Sequence, residues 1–236
     1  MTVKGKIFLC VAVLAVLFAV AGSVVLGRYY VDNRKANFTS DYVLYVYPDT
    51  ELDEVVDSLQ SGAGTIRPKS LKRAFAKMEV AENIKPGRYV VKSSSPSIYV
   101  ARMLVFGWQT PQNMTLSGTI RSKGSLAKKI SMQMMVDSAE VASALNDNAF
   151  LARYGFSSED VFGLVLPDTY EMYWTASVEE IFDRFKKEYD AFWTDERISK
   201  AEAQGLTRKQ VSVMASIVSG ETLKAFEYPV IAGVYL

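Results

Sequence analysis

The 236-residue chain carries 27 Lys and Arg against 26 Asp and Glu, no histidine, and a single cysteine, Cys10. A net charge of +1, with basic residues spread among acids, gives no electrostatic case for nucleic acid. Without histidine there is no Ser-His-Asp or Cys-His dyad and no imidazole metal ligand, and one cysteine cannot close an intrachain disulfide; chemistry must rest on carboxylates, Lys, Tyr, Ser or backbone groups.

In chain order, Ile7 to Leu26 is an apolar run without a charge. At ~1.5 Å per helical residue it can cross a hydrocarbon core of ~30 Å. Lys4 and Lys6 precede it, and Gly27-Arg28-Tyr29-Tyr30 follows, with two tyrosines suited to an interface. Ala19-Val20-Ala21 resembles a signal-peptidase site, so a cleaved signal is the competing reading. The run continues past Ala21, which favours an uncleaved signal anchor. A short tail before a large polar domain favours a cytoplasmic N-terminus, with the chain from about residue 30 outside the cytoplasm at the inner membrane. Cys10 is expected to be an inert packing or lipid-facing thiol.

The polar stretch to Ser40 reads as a juxtamembrane spacer. Tyr42 to Tyr47, β-branched and aromatic and ending at Pro48, predicts a strand. Leu52, Val55, Val56 and Leu59 predict a helix over 51–59, and Leu71, Phe75 and Met78 another over 70–80. Pro86-Gly87 turns the chain into a strand at 88–91, and 97–106 is a further helix candidate. After Gly107 the texture changes, and the spacing predicts a strand over 112–120, helices beginning at Ser125 and over 138–145, and a long amphipathic helix over 177–192. Thr207 is a plausible N-cap for a helix ending at Glu221. The fold class is α+β, divided as tail 1–6, transmembrane helix 7–26, spacer 27–40, a small α+β subdomain 41–110 and a mixed α/β domain 111–236. Tyr228 to Leu236 is an apolar helical beginning without a polar tail, so a C-terminal truncation is expected.

In the stretch Met214 to Thr222, Val211, Met214, Ala215 and Val218 recur at helical spacing, and the same stripe continues onto Glu221 and Thr222. A carboxyl on a buried stripe would be desolvated and its pKa raised toward a range where it can donate a proton at neutral pH. The competing reading is a solvated glutamate at a helix end. Gly220 hints at close approach or at the end of the helix. For Pro167-Asp168-Thr169-Tyr170 a backbone turn and a place lining a cleft are both open. Tyr170 and Tyr173 could stack on sugar rings or serve as core, and Asp168 could bind a sugar or cap a turn.

Ala215-Ser216-Ile217-Val218-Ser219-Gly220-Glu221-Thr222, followed by Pro229-Val230-Ile231-Ala232-Gly233-Val234-Tyr235, resembles the signature of the MltG/YceG-like endolytic murein transglycosylases. Phe162-Gly163-Leu164-Val165-Leu166-Pro167-Asp168-Thr169-Tyr170 is similar to a second block of that family, and Ile84-Lys85-Pro86-Gly87-Arg88-Tyr89-Val90 to the turn of its LysM-like subdomain. The resemblance implies that 41–110 is LysM-like and that 111–236 is a catalytic domain, incomplete at its C-terminus. It implies Glu221 as the catalytic acid/base, with Asp168, Tyr170 and Thr222 as candidate substrate contacts and no metal or cofactor. Ser219 stands where the family usually has an acid. The implied partners are peptidoglycan glycan strands and the inner membrane, with cell-wall synthases as candidate protein partners. The implied reaction cleaves the β-1,4 bond between N-acetylmuramic acid and N-acetylglucosamine and leaves a 1,6-anhydro end. The rival classes are a non-enzymatic peptidoglycan-binding protein and a scaffold of the cell-wall synthesis machinery.

Overall fold

A computed structural model describes residues 3–236, with side chains from residue 11 onward. The side chains of Lys4, Lys6 and Cys10 lie outside the described residues. The chain divides into two compact units, residues 1–111 and 112–236.

The first unit opens on helix α1 (Val3–Arg34), whose stretch Val11–Arg34 is long and apolar enough to cross a membrane, as an anchor or a signal sequence would be. The helix does not stop at Leu26. Asp32 accepts two hydrogen bonds from the Arg73 guanidinium, at 2.6 and 2.9 Å, and one from Ser70 at 2.5 Å. That ties the last turn to the folded unit. The stretch after α1 is no loose spacer either. Asn37 and Phe38 are buried, and Asn37 donates to Ser97 Oγ and to the Arg67 carbonyl while accepting from the Arg67 N–H. A buried amide satisfied on both ends fixes the chain there.

Strand β1 (Tyr42–Val46) is followed by α2 (Leu52–Ser61), α3 (Pro68–Lys77), α4 (Val80–Asn83), β2 (Gly87–Val91) and α5 (Ser97–Phe106). The two strands pair antiparallel, with Tyr42 opposite Val91 and Val46 opposite Gly87. Leu44, Val46, Tyr89 and Val91 face a core shared with Val55, Leu59, Leu71, Phe75, Val100 and Leu104. Helix α3 ends at Lys77 rather than near Val80. Glu79 takes a left-handed conformation, φ 50°, which interrupts the helical ladder. Tyr89 donates to the Lys85 carbonyl at 2.8 Å, and burial pushes its phenol up to about 12.

The second unit runs β3 (Gln112–Leu116), α6 (Lys123–Ser131), α7 (Ser138–Ala144), α8 (Asn148–Ala152), a 3₁₀ turn at Val161–Gly163, β4 (Asp168–Met172), α9 (Val178–Phe192), α10 (Asp195–Ala203), α11 (Arg208–Glu221), a 3₁₀ turn at Ala225–Glu227 and α12 (Tyr228–Tyr235). Strand β3 stops four residues before the expected end at Ile120, and Gly118 follows with φ +78°. It pairs antiparallel with β4, Gln112 opposite Met172 and Leu116 opposite Asp168. Leu126, Ile130, Leu151, Leu164, Tyr170, Ile181, Phe182 and Phe185 form the core. Helix α9 opens with a reciprocal cap: the Ser177 hydroxyl accepts from the Glu180 N–H, and the Glu180 carboxylate accepts from the Ser177 N–H. Thr207 and Gln210 do the same for α11.

Candidate active site at the end of helix α11

Helix α11 is held to its unit by its N-terminal half. The Lys209 ammonium pairs with Asp160, just before the 3₁₀ turn at Val161–Gly163, and the Ser157 N–H also donates to that carboxylate. Burial pushes the Asp160 carboxyl up, but Lys209 and Ser157 outweigh it and hold it below the usual carboxylate range. Val211 packs against the main core, and Gly163 lies close enough that a Cβ there would meet Ser212 Cβ at 3.5 Å. The rest of the helix is half-buried or exposed up to its last turn. Val218 is its one buried residue, at 6 % exposure.

Glu221, the last residue of α11, is exposed. The expected burial of the stripe as far as this carboxyl is therefore incorrect: burial on α11 ends at Val218, one turn short of it. The carboxylate accepts a hydrogen bond from the Tyr235 hydroxyl of α12 at 3.2 Å, and that bond raises the pKa of the phenol. Thr222 caps the helix in an extended conformation. Its hydroxyl donates to Glu227 at 2.6 Å and accepts from the Lys224 N–H at 3.1 Å, while Lys224 reaches the other Glu227 oxygen at 3.4 Å. Glu221 and Thr222 thus stand side by side on a helical hairpin, the first facing solvent and the second ordering the turn. Leu223, Phe226 and Val234, which follow Glu221 in the chain, are exposed apolar side chains. Gly220 has open space where a Cβ would sit. Ser219 is exposed and donates to the Ser216 carbonyl at 3.1 Å.

Of the second sequence block, Phe162 and Gly163 lie in the 3₁₀ turn and Asp168, Thr169 and Tyr170 on strand β4. Pro167-Asp168 does not make a turn. Asp168 begins the strand, exposed, and accepts from the Thr169 N–H at 2.7 Å. Tyr170 is a correction: it is fully buried, donates to the Leu166 carbonyl at 2.6 Å and packs edge-on against Phe185 at 4.9 Å. Burial raises its phenol pKa. Strand alternation places Tyr170 in the core and Thr169 and Glu171 outside, so it cannot stack on a sugar. Tyr173 is exposed. Among the described residues no hydrogen bond or ion pair joins Asp168 to Glu221. No group of three or more Asp, Glu or Cys among them is placed to hold a metal ion.

Residues 44–236 match the model of the YceG-like family. The chain belongs to the YceG-like family. A crystal structure of a Listeria monocytogenes protein described as YceG-like is similar to it at 16 % identity and a TM-score of 0.47, over 80 % of this chain and 67 % of that one. No curated protein matches the chain. The YceG-like region takes in both units from β1 onward, including Glu221 and the β3–β4 pair. Tyr235 and Glu227, the partners of Glu221 and Thr222, were not singled out from sequence. Tyr235 lies within the segment that carries the resemblance, but its contact with a residue fourteen positions earlier depends on how α12 folds back.

Proposed function

We propose that the protein is a membrane-anchored lytic transglycosylase that cuts within peptidoglycan strands, with Glu221 as its single acid/base. The observation that carries this reading is the position of Glu221 within the YceG-like region, at the free end of a capped helix where a long polymer can reach it. The apolar helix α1 supports anchoring at the inner membrane, with the remainder outside the cytoplasm, and the first unit is read as the LysM-like glycan-holding module.

One carboxyl serves both steps. In its neutral form Glu221 gives its proton to the glycosidic oxygen as the bond to C1 of N-acetylmuramic acid breaks. The carboxylate then takes the proton of the muramic acid C6 hydroxyl, whose oxygen closes on C1 and forms the 1,6-anhydro ring. The carboxyl ends as it began, and no water enters. Ordinary glycosidases need a second carboxylate as nucleophile or to activate water, and intramolecular capture removes that need. Glu221 is exposed in the free protein, so in this proposal a bound glycan supplies the desolvation that favours the neutral acid. Tyr235 orients the carboxylate through its hydroxyl. Asp168 and Thr222 remain substrate contacts within this proposal, Asp168 by its exposed carboxylate and Thr222 by ordering the turn.

The membrane-embedded protein is expected to release anhydro-ended glycan from purified sacculi, and Glu221→Gln to lower that rate by about 10²–10⁴-fold. Unchanged release by the variant would sink the assignment. The solvent-exposed carboxyl and the hydroxyl at Ser219 favour a second reading, a glycan-binding protein without cleavage. Retention on sacculi with no anhydro product would support it.

A further inference from the structure

We propose that the first unit is seated on the bilayer that α1 enters, with the end formed by the C-termini of α3 and α5 lying in the headgroup layer and Lys72 and Lys77 holding anionic phospholipid phosphates. This rests on the anchored reading of α1. Three contacts fix the direction of α3. Its start lies beside residue 36, where Arg67 donates to the Ala36 carbonyl at 2.6 Å. Midway Arg73 pairs with Asp32, and at its end Lys77 stands over the Tyr29 ring at 5.6 Å. Helix α3 therefore runs back along α1 toward the apolar run. Helix α5 does the same. It begins where Asn37 bonds Ser97, packs against α1, and ends where the Leu104 carbonyl accepts from Lys85, just after α4.

Tyr29 is three residues beyond Leu26, so Lys77 sits about 4.5 Å past the end of the uncharged stretch, which is headgroup depth. Helix α3 carries four cations and no acid in its ten residues, although the whole chain has a net charge of only +1. Arg73 is neutralised by Asp32, but Lys72 and Lys77 are exposed and, among the described residues, pair with no carboxylate; Glu79 and Glu82 follow them in the chain. At the end of α5, Phe106 and Trp108 are exposed, their ring centroids 5.5 Å apart and the planes tilted by 31°. Cations beside exposed aromatic rings, continuous with a membrane-crossing helix, match the composition of a bilayer interface. A soluble sugar would account for the rings but not for the lysines or for their depth.

The test uses the full chain carrying Cys10→Ser and Ala81→Cys, labelled at residue 81 with an environment-sensitive fluorophore. It is reconstituted in vesicles of phosphatidylcholine alone or with phosphatidylglycerol. The protein should float with both kinds of vesicle, and its emission should shift to the blue only in the anionic ones. Lys72→Glu together with Lys77→Glu should return the emission to the phosphatidylcholine value. Each lysine lost should lower the seated fraction relative to the unseated on the order of fivefold. Inorganic phosphate in the buffer should change nothing. Protein that floats but shows the same emission in both vesicles overturns the seating alone, and so does an emission shift driven by soluble glycan fragments instead of lipid. Protein that fails to float overturns the anchored reading and the seating with it.

Discussion

Glu221 ends α11 with its carboxylate turned to solvent and one hydrogen bond from Tyr235, while Tyr170, named with it as a site candidate, lies wholly in the core. The two fates follow from where burial falls. Tyr170→Phe should leave activity intact and cost about 1 kcal/mol in denaturant unfolding, because the Leu166 carbonyl loses its buried donor. Asp41 makes a different kind of prediction. The Ser93 N–H and the Lys92 ammonium hold its carboxyl at about 2, below the ordinary 3.8. A folded pKa below the unfolded one means that its contribution is present above 3.8 and is lost as pH falls toward about 2. Asp41→Asn should therefore flatten the acid limb of stability across that window, measured by unfolding at a series of pH values. Sequence placed Glu221 on a helix end correctly, but a stripe of apolar residues carries no mark of where the core beneath it stops. Only the packing of Val211 and Val218 tells that.

Helices with strong local signals were legible, and those set by backbone detail were not. Ser177 and Thr207 cap α9 and α11 as side-chain chemistry dictates, and α5 occupies the span its apolar spacing implies. The early end of α3 depends on Glu79 entering the left-handed region, which no residue type there announces. For the start of strand β4 a turn is one of two readings open in sequence, because Pro-Asp is a turn signal in isolation, and pairing with β3 overrides it. Ser177→Ala should cost about 1 kcal/mol in thermal unfolding. Gly220 sits within α11 with a clear space beside it, so Gly220→Ala should stabilise the helix by up to about 1 kcal/mol. If that space admits the glycan, the same substitution lowers turnover while raising the melting temperature.

Two cores, one built on the β1–β2 pair and one on the β3–β4 pair, make up the YceG-like region; α1 joins the first directly through Asp32, and the residues just after it through Asn37 and Phe38. That connection leaves no loose tether between the apolar helix and the folded unit. It was not legible in sequence, because a short polar stretch after an apolar helix reads as a linker until its partners Arg67, Arg73 and Ser97 are brought beside it. For an anchored enzyme this fixes how high above the bilayer the first unit stands. The central claim, that Glu221 drives capture of C1 by the muramic acid's own hydroxyl, is tested most directly by digesting purified sacculi with the membrane-embedded protein in ¹⁸O-water and weighing the new glycan ends. The account predicts 1,6-anhydro ends free of the heavy isotope, absent with Glu221→Gln. Reducing ends carrying ¹⁸O would contradict it.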